Sequence, residues 1–302
     1  MRIEIKYAMK TMKFMMLAVA AAILVGCGTT KTVPITGRKQ NLMVSDGEML
    51  SLSTQQYGEY MKTAKPSTNK ANTEMVTRVG RRLATSVETY LRNNGMAEDV
   101  QYYQWQFNLV QDQSVNAWCM PGGKIVVYEG LLPVTQNEAS LAIVLGHEIA
   151  HAVARHSAEQ YSTQVRQQYG LQGATVLASV LGAGSNAIAL GQTAAAAGLG
   201  LQNLHYSREN ESEADHLGLI FAAMAGYDPQ VAVGFWQRMS SASGNSNTSE
   251  FLSSHPSDAT RIKQIQGWLP EAMKYYNGAT GSAVTTTNKG KSPKAMKEIR
   301  IK

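Results

Sequence analysis

His147-Glu148-Ile149-Ala150-His151 is the stretch on which the reading of this chain turns. Residues four apart share one face of an α-helix, so His147 and His151 can each present a ring nitrogen to a single metal ion. Glu148 lies about 100° round from His147 and about 60° from His151. Its carboxylate therefore stands at the rim of the metal-facing side, placed to take a proton from a water activated there. Chance also supplies such short patterns. This one gains meaning only if the chain provides a helix, a third ligand, partners for the ligating rings and a cleft.

The helix is credible. Thr135 and Glu138 stand three apart just before the apolar run, a capping-box pattern, and Leu141, Ile143, Val144 and Leu145 carry the helix to at least His156. His156 is half a turn out of phase with His147 and reads as a surface or packing residue. Glycine and histidine do not stand at Ala154 and Ser157, which excludes the metzincin pattern.

Zinc with two histidines needs a third protein ligand and one open position to hydrolyse anything. The candidates are His205, His216, His255 and the acidic cluster Glu209, Glu211, Glu213 and Asp215. Glu211 and Asp215 are four apart and share a face, whereas Glu213 lies about 200° from Glu211. The spacing favours Glu211 as ligand, with Asp215 accepting a hydrogen bond from the remote N–H of a ligating histidine. The competing reading is a solvated acidic face beside Arg208.

Working outward, Val76, Val79, Leu83 and Val87 mark an amphipathic helix over 73–92 that stops near Asn93-Asn94-Gly95. Tyr103, Trp105, Phe107 and Leu109 alternate with polar residues and predict a half-buried strand. Residues 116–132 read as strand, Pro121-Gly122-Gly123 turn, strand. This is either an ordinary hairpin or one whose free edge holds an extended peptide. The Ala-, Gly- and Leu-rich stretch 165–204 predicts two close-packed core helices rather than a membrane hairpin, because glutamines, serines and an asparagine interrupt every apolar run. A helix over 208–225 is followed by Gly226-Tyr227-Asp228-Pro229, which ends it and caps the next. The last helix carries Arg261, Ile262, Ile265 and Leu269.

The bulk numbers agree with a catalytic body. The chain has 302 residues, 44% of them hydrophobic and 17% charged, enough for a sizeable core. Its net charge of +6 belongs to the ends, since residues 27–277 hold 18 basic against 20 acidic side chains. Nucleic-acid binding therefore has no support. Lys6, Lys10 and Lys13 precede a 13-residue apolar run, Phe14 to Gly26, too short to span a bilayer comfortably. Leu24-Val25-Gly26-Cys27 resembles a lipobox, which makes Cys27 the expected lipidation site. Cys119 then has no disulfide partner, and a metal site must use His and carboxylate. The expected organisation is a lipoprotein signal peptide over 1–26, a tether over 27–45, a zinc metallopeptidase domain over 46–277 and a disordered basic tail over 278–302.

Several further motifs occur in order: Pro34-Ile35-Thr36-Gly37-Arg38, Asn116-Ala117 with Pro121-Gly122-Gly123, Ala154-Arg155-His156, Tyr206-Ser207-Arg208, Ala225 to Pro229, and His255-Pro256 followed by Arg261-Ile262. With the HExxH helix and Glu211-Ser212-Glu213-Ala214-Asp215, this set resembles the gluzincin family of CAAX prenyl proteases, HtpX-type heat-shock peptidases and mitochondrial Oma-type peptidases, and above all its bacterial lipoprotein and periplasmic branch. The likeness covers most of residues 33–270. It implies one Zn2+ bound by His147, His151 and Glu211, Glu148 as general base, and a substrate edge strand of Asn116, Ala117, Trp118, Cys119 and Met120. It also implies that His255 reaches the metal site, either stabilising an oxyanion or acting as a reversible fourth ligand, with Arg261 in support. The multiple membrane spans of prenyl proteases and HtpX are missing from this sequence.

The expected fold is α+β, predominantly α-helical and zincin-like, with a small antiparallel or mixed sheet edging the active-site cleft. The expected function is a zinc metalloendopeptidase acting on unfolded or misassembled cell-envelope proteins. Its expected location is the bacterial outer membrane, anchored through Cys27 and facing the periplasm. The alternatives are a chaperone-like assembly factor for outer-membrane proteins and a non-peptide zinc hydrolase.

Overall fold

A computed structural model describes residues 28–167, 201, 206–244, 251, 255 and 259–281. The leader with Cys27, most of the Ala/Gly-rich stretch 165–204, His205, and the tail beyond 281 lie outside the described residues.

The architecture is mainly helical with small sheets, as expected, and helix α4 (Glu138–Val153) runs through its middle. Leu141 to Leu145, Ile149, Ala150 and Val153 are all buried, so α4 is apolar on every side and needs cover all round. Helix α2 (Lys70–Asn93) supplies one cover with the Val76, Val79, Leu83, Val87 and Leu91 stripe, and it ends at Gly95 with φ 77°. Helix α5 (Arg208–Met224), helix α6 (Val231–Gly244) and helix α7 (Ala259–Gly281) supply the others. Among the described residues no helix is long and apolar enough to cross a membrane.

The crossing of α4 and α5 positions the candidate ligands, and it depends on two glycines. A Cβ on Gly218 would lie 2.6 Å from the backbone nitrogen of His147, and one on Gly146 would lie 2.6 Å from the carbonyl oxygen of Gly218. Both neighbours are backbone, so a methyl group can be accommodated only by moving one helix. Gly218→Ala should destabilise the fold by about 1–3 kcal/mol and displace Glu211 and Asp215 from the histidines. Denaturant unfolding and the zinc content of the purified variant check both effects.

The sheet beside α4 is mixed: β3 (Gln106–Val110) runs parallel to β5 (Lys124–Tyr128), and β4 (Ala117–Met120) pairs antiparallel with β5 on its other side. Ala117 faces the main core while Trp118 and Met120 pack in a separate apolar cluster with Tyr57, Tyr60 and Met61 of helix α1 (Asp46–Thr63). The Pro-Gly-Gly turn between β4 and β5 has φ of 80° and 82° at Gly122 and Gly123, a conformation that glycine adopts freely. Any side chain on Gly123 would collide with Trp105. The strand expected from Tyr103 begins only at Gln106, because a 3-10 helix over Ala97–Tyr102 precedes it.

Residues 28–45 form a hairpin of β1 (Thr29–Thr32) and β2 (Lys39–Leu42), with Val33, Gln40 and Leu42 buried against the body. Two local expectations for α4 change. Its cap is Asn137, whose side chain accepts from Ser140 N at 2.8 Å. Thr135 instead ends a preceding turn of helix, α3 (Leu132–Thr135), and the chain reverses at Gln136 with φ 66°. The helix also stops at Val153 rather than continuing to His156. Arg155 adopts φ 54°, and its guanidinium is held by Asp46 at 2.9 Å and Asp99 at 2.7 Å. That reversal swings His156 inward.

Candidate metal centre and active site

Helix α4 presents His147 and His151 one turn apart, and α5 brings Glu211 against them. Nε2 of His147 and Nε2 of His151 are 3.0 Å apart, and Glu211 lies 3.5 Å from the first and 3.3 Å from the second. His255 completes the group, its Nδ1 2.9 Å from Glu211 Oε1 and 3.2 Å from His147 Nε2. One ligand atom from each of the four residues falls within 4.8 Å of all the others, and all four side chains are buried.

The proton pattern favours a cation in this cluster. Asp215 receives both Nε and Nη2 of Arg261, at 2.6 and 2.7 Å, so its carboxylate acts only as an acceptor. His147 Nδ1, 2.9 Å from Asp215 Oδ1, therefore carries the hydrogen, and a neutral ring turns the Nε2 lone pair toward His151 and Glu211. Lone pairs and a carboxylate converging in a buried cluster are stable when a cation sits among them. Imidazole nitrogens with one carboxylate form a donor set suited to zinc.

The electrostatics point the same way. Burial opposes charge on His147, but Asp215 and Glu211 outweigh it and raise its pKa to about 9. His151 moves well below the ordinary histidine range, because burial dominates and His147 and His156 add to it. Glu211 stays well below the carboxylate range despite burial, held down by His255, His147 and His151. A divalent cation placed here would compete with a proton for His147 and meet an ionised Glu211 carboxylate.

Glu148 is 2% exposed, and among the described residues its Oε1 accepts no hydrogen bond and faces His255 Nε2 at 3.7 Å. Burial raises its pKa from the usual glutamate value, opposed by the nearby His255 and His147. A buried carboxylate oxygen left without a hydrogen-bond donor suits a group that must take up a proton. Arg261 lies 3.5 Å above the Trp236 ring and also donates from Nη1 to the His255 carbonyl at 3.1 Å, so it ties Asp215 and His255 together. Tyr206 stacks on His151 with ring centroids 4.1 Å apart.

The other sequence candidates separate clearly. His216 faces away, bonded to Glu271 at 2.7 Å and stacked on Trp268. Glu209 is exposed. Glu213 lies outside the ligand group but is buried, and His156, expected at the surface or in packing, is fully buried with its Nδ1 2.9 Å from Nδ1 of His151. Their involvement escaped the spacing argument because it depends on the break at Arg155; the nearest signal was the Ala154-Arg155-His156 motif itself. Asn116 accepts from Tyr128 N at 3.1 Å, so by antiparallel alternation Ala117 and Cys119 turn their backbone groups to the outer edge of β4. Among the described residues no strand pairs with that edge.

A family model described as Peptidase family M48 matches residues 72–269, which include the whole of this cluster. The chain belongs to that family. Among its relatives, mitochondrial metalloendopeptidase OMA1 of Schizosaccharomyces pombe is 39% identical over 171 residues, covering 56% of this chain and 48% of that protein. Human OMA1, also named as a mitochondrial metalloendopeptidase, is 29% identical over 248 residues, covering 80% and 46%. The beta-barrel assembly-enhancing protease of Escherichia coli is 26% identical over 239 residues, covering 76% and 46%. The chain thus spans about half the length of the curated relatives it matches. These matches overturn the location expected from the leader. The yeast, plant and animal relatives are named as mitochondrial, so a bacterial outer membrane facing the periplasm does not stand.

Proposed function

We propose that this M48 chain is a zinc metalloendopeptidase in which His147, His151 and Glu211 hold one zinc ion and Glu148 is the general base. The observation that carries the reading is the buried donor cluster with an unbonded Glu148 oxygen beside it. Bound there, zinc supplies a Lewis acid that polarises a carbonyl and acidifies water. Glu148 takes the proton of the attacking water and delivers it to the leaving amine, a role that its raised pKa and dry surroundings favour. Asp215 and Arg261 fix the ring of His147, and through the His255 carbonyl Arg261 also positions the fourth side. His255 would be available as a further, exchangeable ligand to that ion, which its approach to both Glu211 and His147 supports.

The substrate is an extended peptide that adds to the outer edge of β4, in the segment Asn116 to Met120, with the outward backbone groups of Ala117 and Cys119 as its partners. Unfolded or misassembled proteins expose such segments, so the biological role is protein quality control. A lipid anchor at Cys27 is inferred from the sequence of the leader alone. The test is cleavage of a permanently unfolded protein such as casein. Chelation should abolish it and stoichiometric zinc should restore it. Cys119→Pro, which removes an outward N–H while sparing the β5 ladder, should slow it about tenfold or more with zinc retained. Full activity after zinc removal would overturn the site. Unchanged cleavage by the proline variant would overturn the edge strand.

A further inference from the structure

His147 has its remote nitrogen fixed by Asp215, but among the described residues no carboxylate meets Nδ1 of His151. In that place stands a second imidazole: Nδ1 of His156 lies 2.9 Å from Nδ1 of His151, and Nε2 of His156 lies 3.0 Å from Glu213 Oε2. Glu213 is in turn loaded with donors, since Thr36 Oγ1 donates to Oε1 at 2.6 Å and Arg38 Nε to Oε2 at 2.9 Å. Arg38 is itself forked onto Glu159 at 2.6 and 2.8 Å. A carboxylate with that set of partners accepts only, so Nε2 of His156 must be its donor.

The remaining protons follow in sequence. A neutral His156 that donates from Nε2 has a bare Nδ1, which accepts. His151 must then carry its hydrogen on Nδ1, leaving the lone pair on Nε2, the atom that faces His147 and Glu211. Both bonds are buried, and His156 is fully buried, so water does not compete for either. The break at Arg155 is what makes this possible, because an unbroken helix would carry His156 away from His151.

We propose that His156 is a positioning residue for the metal site, one that fixes the tautomer of His151 through a Glu213–His156–His151 relay. Thr36 and Arg38 anchor the far end, so the N-terminal hairpin is part of the support of a zinc-binding ring. The relay rests on the assignment of His151 as a zinc ligand.

The test reads metal affinity and proton position rather than turnover. Competition with a chromogenic chelator should show the zinc dissociation constant of His156→Phe raised about 10–100-fold, the range seen when a partner of a ligating histidine is lost. His156→Asn, whose amide oxygen can still accept from His151, should recover most of it. In the zinc-loaded wild-type chain with 15N-labelled histidine, the Nδ1 proton of His151 should show scalar coupling to Nδ1 of His156. This second measurement needs no variant and stands even if His156→Phe fails to fold. Wild-type affinity in a folded His156→Phe, or a proton that resides on Nδ1 of His156, would overturn the relay. Zinc binding that survives His147→Ala and His151→Ala would instead overturn the site on which it rests.

Discussion

Glu148→Gln should bind zinc as the wild type does and lose cleavage by about 10²–10⁴-fold, the range for a general acid-base group. The substitution is nearly isosteric. Among the described residues Glu148 Oε1 takes part in no hydrogen bond, so the amide costs only the longer charge contact with His255 Nε2 at 3.7 Å. Burial already disfavours the ionised form, so the fold should be at least as stable with the amide. Casein degradation and elemental zinc analysis on one preparation separate the two effects. Cleavage within a few-fold of wild type would sink the mechanism. A Gln variant that still performs the cellular task in full would favour chain binding without hydrolysis, the assembly-factor alternative.

Arg261→Met should destabilise the zinc-free protein by about 3–5 kcal/mol, the cost of breaking a buried ion pair from one side. Asp215 would keep its charge and lose two donors, at 2.6 and 2.7 Å, with His147 as its remaining partner from α4. The His255 carbonyl would lose its donor, and the Trp236 face would lose the guanidinium stacked on it. Zinc affinity should fall with stability, because the ring of His147 is oriented by the same carboxylate. Arg261→Lys keeps the charge but not the fork, and should recover only part of the loss. Urea unfolding of the zinc-free chains, with chelator competition on the loaded ones, measures both; additivity with Asp215→Asn would argue against a shared network.

Peptidase family M48 spans these residues, but much of their arrangement follows from local geometry. Helical phase alone brings His147 and His151 to one face and separates Glu211 and Asp215 from Glu213, because rotation per residue is a property of the backbone. The apolar stripe of α2 and the Pro-Gly-Gly turn are legible for the same reason: each depends on neighbours in sequence. The largely helical body also follows from those patterns, whereas the sheet, left as antiparallel or mixed by sequence, became mixed only when β3 paired parallel with β5.

What sequence alone could not decide were the features determined by partners far along the chain. Asn137 rather than Thr135 caps α4 because one turn of helix at Leu132–Thr135 changes where the chain reverses. Spacing alone gave His216 and His255 no distinct duty, and packing separates them by turning one to Glu271 and the other to Glu211. Gly146 and Gly218 have no significance until α4 and α5 touch at those two residues. The break after Val153 follows from Asp46 and Asp99 holding Arg155, and no spacing rule near residue 155 contains that information. HExxH therefore carried the two histidines and the glutamate of the proposed site in sequence. The support for its second histidine arose only when tertiary structure brought Thr36, Arg38, Glu213 and His156 into one line of hydrogen bonds.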